Sequence, residues 1–223
     1  MSFILTNTYK YDSEVNKSMD IKEYIRIKDL DYLGYCDYLQ DKYGIGLADY
    51  MTRQFNPNPN CKRTRDGLYA HHKYENKMIM LSTKEFAKLV PFEWQQKENI
   101  VYCDLLEHLY LHILIYENPD PIDPRINVGF GGVVNFLVPE LNDIYSGYKT
   151  TLGWERICHS KVINDKEVYL LLVKRFIKDA IDDEMFSPDC LLDSKNKKYG
   201  SWNDAMNASI YEEITSLYQD IKE

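Results

Sequence analysis

The chain has 223 residues, a formal net charge of −8 and 44% hydrophobic residues, which is ordinary for a globular protein. Its apolar stretches, such as 109–116 and 168–173, are too short to span a bilayer, and its first residues lack the basic and apolar regions of a signal peptide. Five scattered cysteines without a C-x-x-C pair favour free thiols over a disulfide scaffold, so we expect a cytoplasmic protein without a membrane partner.

The first half of the chain alternates short helical patterns with loops. Apolar and aromatic positions at helical spacing predict a helix over 29–43 that stops at Gly44, and a second short helix over 47–54. Residues 56–60 read Asn-Pro-Asn-Pro-Asn and must form a loop. Two short strands are predicted after it, at 67–72 and around 77–81, followed by a short helix from Ser82 to about Leu89.

The second half is predominantly helical. Asp104 followed by Glu107 predicts a capped helix of about 13 residues that ends before Pro119. Gly129-Phe-Gly-Gly132 predicts a turn or hinge, since no phosphate-binding motif surrounds it. Further helices are predicted at 139–145, 166–182 and 203–222.

Basic residues are concentrated in one segment of this acidic chain. Residues 51–84 carry seven basic and two acidic side chains, a charge of +5 that leaves −13 for the rest. A solvated loop would explain this charge, but a phosphate-bearing substrate would also be attracted to it. The best candidates for backbone contacts are Lys62, Arg63 and Arg65, which directly precede the first predicted strand.

Four of the five histidines fall in two tight groups, the doublet His71-His72 and the pair His108 and His112. Residues four apart on a helix share a face, so His108 and His112 can reach one metal ion. Adjacent residues on a strand point to opposite sides, so only one member of the doublet faces such an ion. Histidine is also the commonest general base near neutral pH. This pattern indicates a site.

The doublet, together with Asn99-x8-His108-x3-His112, resembles the HNH nucleases of the ββα-metal fold, and the colicin-type branch in particular. The resemblance covers about 50 residues and implies an α+β chain, in which a small ββα-metal nuclease core is embedded in mostly helical surroundings. It places a helical N-terminal extension at 1–60, the core at 61–118 and a helical C-terminal region at 119–223.

Each site residue receives a role from this resemblance. His71, His108 and His112 would hold one divalent metal ion, and His72 would be the general base that activates water. Asn99 would tie the connecting segment to the strands and orient His72. The implied activity is a metal-dependent endonuclease that hydrolyses DNA phosphodiester bonds, of phage, mobile-element or defence origin. Imidazole ligands favour zinc, nickel, cobalt or manganese, whereas magnesium prefers oxygen.

Several alternatives remain open from the sequence. Three histidines with Cys103 or Glu107 could form a structural zinc site, although Glu107 could equally be only a helix cap. The protein could then be a non-catalytic nucleic-acid-binding, protein-binding or inhibitor protein that uses its helical flanks. RNA is an alternative substrate to DNA, and cutting both strands with one site per chain would favour a homodimer. His159 is expected at the surface.

Overall fold

A computed structural model describes residues 18–200 and 202–223. The first 17 residues of the predicted N-terminal extension lie outside the described residues. In chain order, the helices are α1 (Ile21–Ile27), α2 (Tyr32–Tyr43), α3 (Lys84–Ala87), α4 (Leu105–Glu117), α5 (Phe130–Gly132), α6 (Val138–Tyr145), α7 (Gly153–Val162), α8 (Lys166–Ala180) and α9 (Ala208–Lys222). A π-helical segment, Val133–Leu137, joins α5 to α6. The chain is therefore mixed but mostly helical.

The two strands of the described residues form one antiparallel pair. Strand β1 (Tyr69–His72) pairs with β2 (Ile100–Cys103), and His72 lies opposite Ile100. The predicted strand at 67–72 is confirmed, but the one predicted around 77–81 is wrong, because that region forms turns. All four residues of β2 are buried. Their side chains therefore show no polar alternation, which made this strand hard to separate from the apolar helix that follows it.

Helix α4 begins with the predicted capping box. The Asp104 carboxylate accepts hydrogen bonds from the backbone N–H groups of Leu106 and Glu107, both at 2.9 Å. The Glu107 carboxylate accepts one from the Asp104 N–H at 2.7 Å. These bonds satisfy amide groups that a helix start leaves unpaired, so the chain turns directly from β2 into α4. The predicted length of 13 residues is confirmed.

One large hydrophobic cluster joins the three segments that were predicted from the sequence. Leu39 of α2, Leu106 of α4, Phe176 of α8 and Ile214 of α9 all belong to it and are fully buried. Helix α4 packs against α2, α7 and α8 and against the strand pair. Because α4 is enclosed in this way, its position relative to β1 is fixed by the core.

Other sequence predictions need adjustment. The stretch 47–54 forms turns and isolated bridges, including Met51 with Pro57, and no helix. Helix α2 starts later than predicted, because the Asp31 side chain caps it by accepting from the Gly34 N–H at 2.7 Å. The C-terminal helices α6, α8 and α9 lie where the sequence predicted them, with shifted ends. Among the described residues, no helix is long and apolar enough to cross a membrane.

Candidate metal centre

Three histidines from β1 and α4 meet at one point. The rings of His71, His108 and His112 lie 5.0 to 5.2 Å apart between centroids. One ring nitrogen of each lies within 4.8 Å of the other two. His71 is fully buried, whereas His108 and His112 are partly exposed. The three residues predicted as ligands are therefore brought together, with an opening on the α4 side.

A fourth residue, Glu75, completes this cluster and was missed from the sequence. Its Oε2 lies 3.6 Å from Nδ1 of His71 and 3.4 Å from Nε2 of His112. The turn after β1 places it there, since the Glu75 N–H donates to the carbonyl of His72 at 3.0 Å. The signal in the sequence was the spacing His71-x3-Glu75. Glu75 is also one of only two acidic residues in the basic segment 51–84.

The imidazoles of the cluster are neutral at pH 7. Burial, together with His112 and His72, outweighs the opposing charge of Glu75 and lowers the pKa of His71 to about 3. Burial is also the main cause that lowers the pKa of His108 and of His112. Burial alone would raise the pKa of Glu75, but the histidines around it outweigh this and lower it. The cluster thus presents lone pairs and one carboxylate, which is the form that binds metals.

Several nitrogens of this cluster have no hydrogen-bond partner. Nδ1 of His71, Nδ1 of His72 and Nδ1 of His112 are buried and unpartnered. Such orphaned atoms are costly in a protein interior, and a bound ion would satisfy those that face it. Three imidazoles and one carboxylate suit zinc or another divalent transition metal. The residues present therefore fit a divalent metal ion.

Tyr32, the first residue of α2, orients His71. Its hydroxyl lies 2.9 Å from Nε2 of His71 and within 3.3 Å of the carbonyls of His72 and Lys73. A hydroxyl that donates to a carbonyl can accept the Nε2–H of His71. The lone pair of His71 is then on Nδ1, which faces Glu75. Partners of this kind fix the tautomer of metal-binding histidines and raise their basicity.

Gly132 of α5 lies directly against His112. A Cβ at this position would stand 2.1 Å from Nδ1 of His112, far closer than atoms can approach. Gly129, with a φ of +85°, places the same segment against the backbone of α4. The segment 129–132, predicted as a turn or hinge, is thus a helical turn whose missing side chains leave room for a histidine.

His72 points away from its neighbour, as expected for adjacent strand residues. Its Nε2 lies 3.1 Å from Oε1 of Gln95, whose own amide donates to the carbonyl of Leu81 at 3.0 Å. Oε1 must therefore accept, so the Nε2 of His72 carries the hydrogen. In the neutral form of the ring the lone pair is on Nδ1, which lies 3.4 Å from Oε1 of Glu75. The ring also packs 4.2 Å from that of Tyr50.

Asn99 closes the long segment between the two strands. Its side chain donates to the carbonyl of Glu93 at 2.8 Å, and its own carbonyl accepts from the Lys73 N–H at 2.9 Å. It therefore connects the end of that segment to the residue after His72. Its role in orienting His72 stays a prediction.

The predicted phosphate-binding residues lie toward the other end of α2. Arg63 donates to the carbonyl of Tyr43 and to Asp66, at 2.6 and 2.8 Å, and its guanidinium lies over the ring of Tyr102. Tyr43 ends α2 whereas Tyr32, at His71, begins it, so about 16 Å of helix separates them. Lys62 and Arg65 are exposed beside Arg63. Binding of a substrate by these three residues stays a prediction.

Glu107 and Cys103, the two alternative zinc ligands from the sequence, do not belong to the group of histidine ligand atoms. Glu107 is held by the Asp104 N–H, by Nζ of Lys42 at 2.7 Å and by the hydroxyl of Tyr43 at 3.1 Å. It acts as a helix cap and a buried ion-pair partner. The Sγ of Cys103 lies near the carbonyl of Tyr69 on the paired strand, at 3.9 Å.

A second group with metal-ligand atoms within 4.8 Å of one another contains Glu140, Glu155 and His159. The expectation that His159 is a surface residue is wrong, because only 7% of it is exposed and its Nε2 lies 3.0 Å from Glu140. The Nζ of Lys195 lies 2.9 Å from Glu140 and 2.8 Å from Glu155. This group therefore already contains a cation.

Comparisons with protein-family models, with curated proteins and with solved structures find no match for this chain. Its function must be argued from the site itself.

Proposed function

We propose that the protein is a metal-dependent endonuclease that hydrolyses phosphodiester bonds in DNA. The observation that carries this proposal is the convergence of His71, His108 and His112. Glu75 lies against His71 and His112, and the orphaned Nδ1 of His72 lies beside Glu75. The four histidines, but not Glu75, also carry the resemblance to HNH nucleases. Metal ligands next to an imidazole that can accept a proton are the two elements that hydrolysis of a phosphodiester requires.

Each residue then has a defined task. A divalent ion held by the three histidines and Glu75 would stabilise negative charge on the phosphate. The Nδ1 of His72 would accept the proton of the attacking water, because Gln95 holds the opposite nitrogen as N–H. Glu75 would stabilise the imidazolium that forms, since its Oε1 lies 3.4 Å from that nitrogen. General base catalysis of this kind contributes about 10²- to 10⁴-fold.

The test is digestion of supercoiled plasmid by metal-stripped protein resupplied with magnesium, manganese, nickel or zinc. We expect metal-dependent nicking that is lost in His72→Ala, while this variant still binds one ion per chain. Metal content, measured on the same samples, separates loss of the base from loss of the ion. Cutting that persists unchanged in His72→Ala would contradict the proposed mechanism. RNA digested in parallel distinguishes a DNase from an RNase.

A second function, a binding or inhibitor protein with a structural metal, has one observation in its favour. Only 1% of His72 is exposed, so water reaches it only through the opening of the cluster or after local movement. The metal would then serve to join β1 to α4 within the core. In that case metal removal would loosen the protein, and neither DNA nor RNA would be cut with any metal.

A further inference from the structure

A cleft of about 600 Å³ lies close to the histidine cluster, between the start of α6 and residues 193–198. Its wall includes Phe136, Glu140, Lys195, Lys197 and Lys198. This volume is in the range of pockets that enclose small ligands, so it can hold a nucleotide. These residues come from the C-terminal third of the chain, which the resemblance to HNH nucleases does not cover.

One side chain, Tyr69, connects this cleft to the metal centre. Its ring lies 6.2 Å from that of His108, and its hydroxyl lies 3.4 Å from Oε1 of Glu140. Phe136 follows Gly132 by four residues on a continuous helical segment, so both lie on the same side of it. Gly132 contacts His112. The cleft and the histidine cluster are therefore linked through Tyr69 and through this helical segment.

The wall of the cleft combines lysines with two carboxylates, those of Glu140 and Asp193. Three lysines occur within four residues, at 195, 197 and 198. Glu140 and Glu155 hold the ammonium group of Lys195, whereas Lys197 pairs with the exposed Asp204, at 2.7 Å. Of the two acidic residues of the wall, Glu140 pairs with Lys195 and contacts His159, whereas Asp193 is exposed and its carboxylate accepts the Ser194 N–H. The exposed ammonium groups remain available to phosphates.

An exposed aromatic ring lies in the same cleft. Phe136 is 66% exposed, which is unusual for a phenylalanine, and Tyr199 beside Lys198 is 69% exposed. Exposed rings among cations are the arrangement on which unpaired bases stack, since every base has an aromatic face. In a duplex these faces are covered by neighbouring base pairs. The combination of rings and lysines therefore favours a single strand.

We propose that this cleft binds a single-stranded segment of the DNA on which the histidine cluster acts. Phosphates contact Lys197 and Lys198, and one base stacks on Phe136. This inference rests on the proposed nuclease function, because it assigns the substrate path to that site. It assigns the main contacts with the DNA phosphates to Lys197 and Lys198 instead of Lys62, Arg63 and Arg65.

The experiment measures fluorescence anisotropy of a labelled single strand of about 16 nucleotides, within the range of site sizes for such grooves. Phosphorothioate linkages keep the charge and resist cutting by the metal-loaded protein. The double variant Lys197→Glu/Lys198→Glu is compared with Lys62→Glu/Arg65→Glu, which changes the net charge equally. We expect the first pair to weaken binding about tenfold and to reduce the slope of log Kd against log salt by about 1.4, or about 0.7 per phosphate.

Phe136→Ala tests the stacking contact separately. We expect it to weaken binding of the single strand about tenfold, at the low end for loss of one stacked base, without lowering the melting temperature. Binding of the matching duplex should be weaker and insensitive to this change. An RNA strand of the same sequence should bind equally if only phosphates and base faces are recognised, and RNA binding without DNA binding would overturn the assignment to DNA.

The outcomes separate this inference from the nuclease proposal. If the wild type nicks plasmid but Lys197→Glu/Lys198→Glu binds the strand normally, the cleft assignment is overturned and the nuclease stands. An equal or larger effect of Lys62→Glu/Arg65→Glu also overturns it. If no metal supports cutting but the lysine pair and Phe136→Ala still weaken binding, the cleft stands and the nuclease proposal fails.

Discussion

Two clusters of buried ligand atoms lie on either side of Tyr69, and they differ in their hydrogen bonding. In the histidine cluster, His71 and His112 lie 3.4 to 3.6 Å from Glu75, and buried ring nitrogens lack partners. In the second cluster, His159 and Lys195 both contact Glu140, at 3.0 and 2.9 Å. Both groups satisfy a distance criterion for metal binding.

The difference shows that proximity of ligand atoms does not by itself make a metal site. Burial would lower the pKa of Lys195, but Glu140 and Glu155 raise it, so its ammonium group stays charged between them. The second cluster thus already contains a cation from within the chain. Around Glu75 there is no such ammonium group among the described contacts, and the imidazoles are neutral. The histidine cluster is the one that gains from a cation supplied from outside.

The largest expected effect comes from replacing a histidine by glutamine in the histidine cluster, and the same replacement in the second cluster should have little effect. His108→Gln should lower zinc affinity more than about 100-fold, because loss of a ligand exceeds the loss seen for outer partners. His159→Gln keeps a donor for Glu140 and should change zinc affinity less than about threefold. Calorimetric titration with zinc measures the affinity of both variants. In a separate unfolding experiment, zinc at 100 times its Kd should stabilise the wild type by about 2.7 kcal/mol. Equal losses in the two variants would remove the distinction between the clusters.

A smaller effect is expected from adding one methyl group beside His112. In Gly132→Ala the new Cβ would stand 2.1 Å from Nδ1 of His112, so the ring must move from its present position. We expect zinc affinity to fall about tenfold to 100-fold, as for a displaced ligand. Gly131→Ala is the matched control, since its Cβ meets only the Asn135 amide at 3.4 Å. Zinc binding that is normal in Gly132→Ala would place His112 outside the ligand set.

The smallest effect is expected from removing the internal cation of the second cluster. Lys195→Met leaves Glu140 and Glu155 without their ammonium partner. We expect the free energy of unfolding in urea to fall by about 2 kcal/mol, below the usual cost for a fully buried pair because Lys195 is 32% exposed. Added manganese should restore part of this loss.

The control for that comparison is Lys197→Met, whose ion pair with Asp204 is half exposed on both sides. Exposed pairs contribute about 0 to 1 kcal/mol, so this variant should unfold nearly as the wild type does. If Lys195→Met is equally neutral and does not respond to manganese, the ammonium group is not what keeps the second cluster from binding metal.

Local features of the structure could be read directly from the sequence. The capping box of Asp104 and Glu107, the strand that carries His71 and the helical spacing of His108 and His112 depend on residues a few positions apart. Strand β2 could not be assigned, because both of its faces are buried and its pattern merges with that of α4. The burial of His159 could not be predicted for a different reason, since its surroundings come from α6 and from the segment at Lys195, which are distant along the chain.

The sequence by itself determined which residues can bind a metal and which two elements carry them, since side-chain chemistry and helical or strand spacing are local properties. The tertiary structure decided which residues complete the site. Glu75, Tyr32 and Gly132 reach the histidines only because α2, α5 and the turn after β1 pack around α4. It also decided that the second cluster contains its own cation, because Lys195 lies 40 residues or more from the carboxylates that it neutralises. Such contacts depend on the packing of the core, which no local pattern encodes.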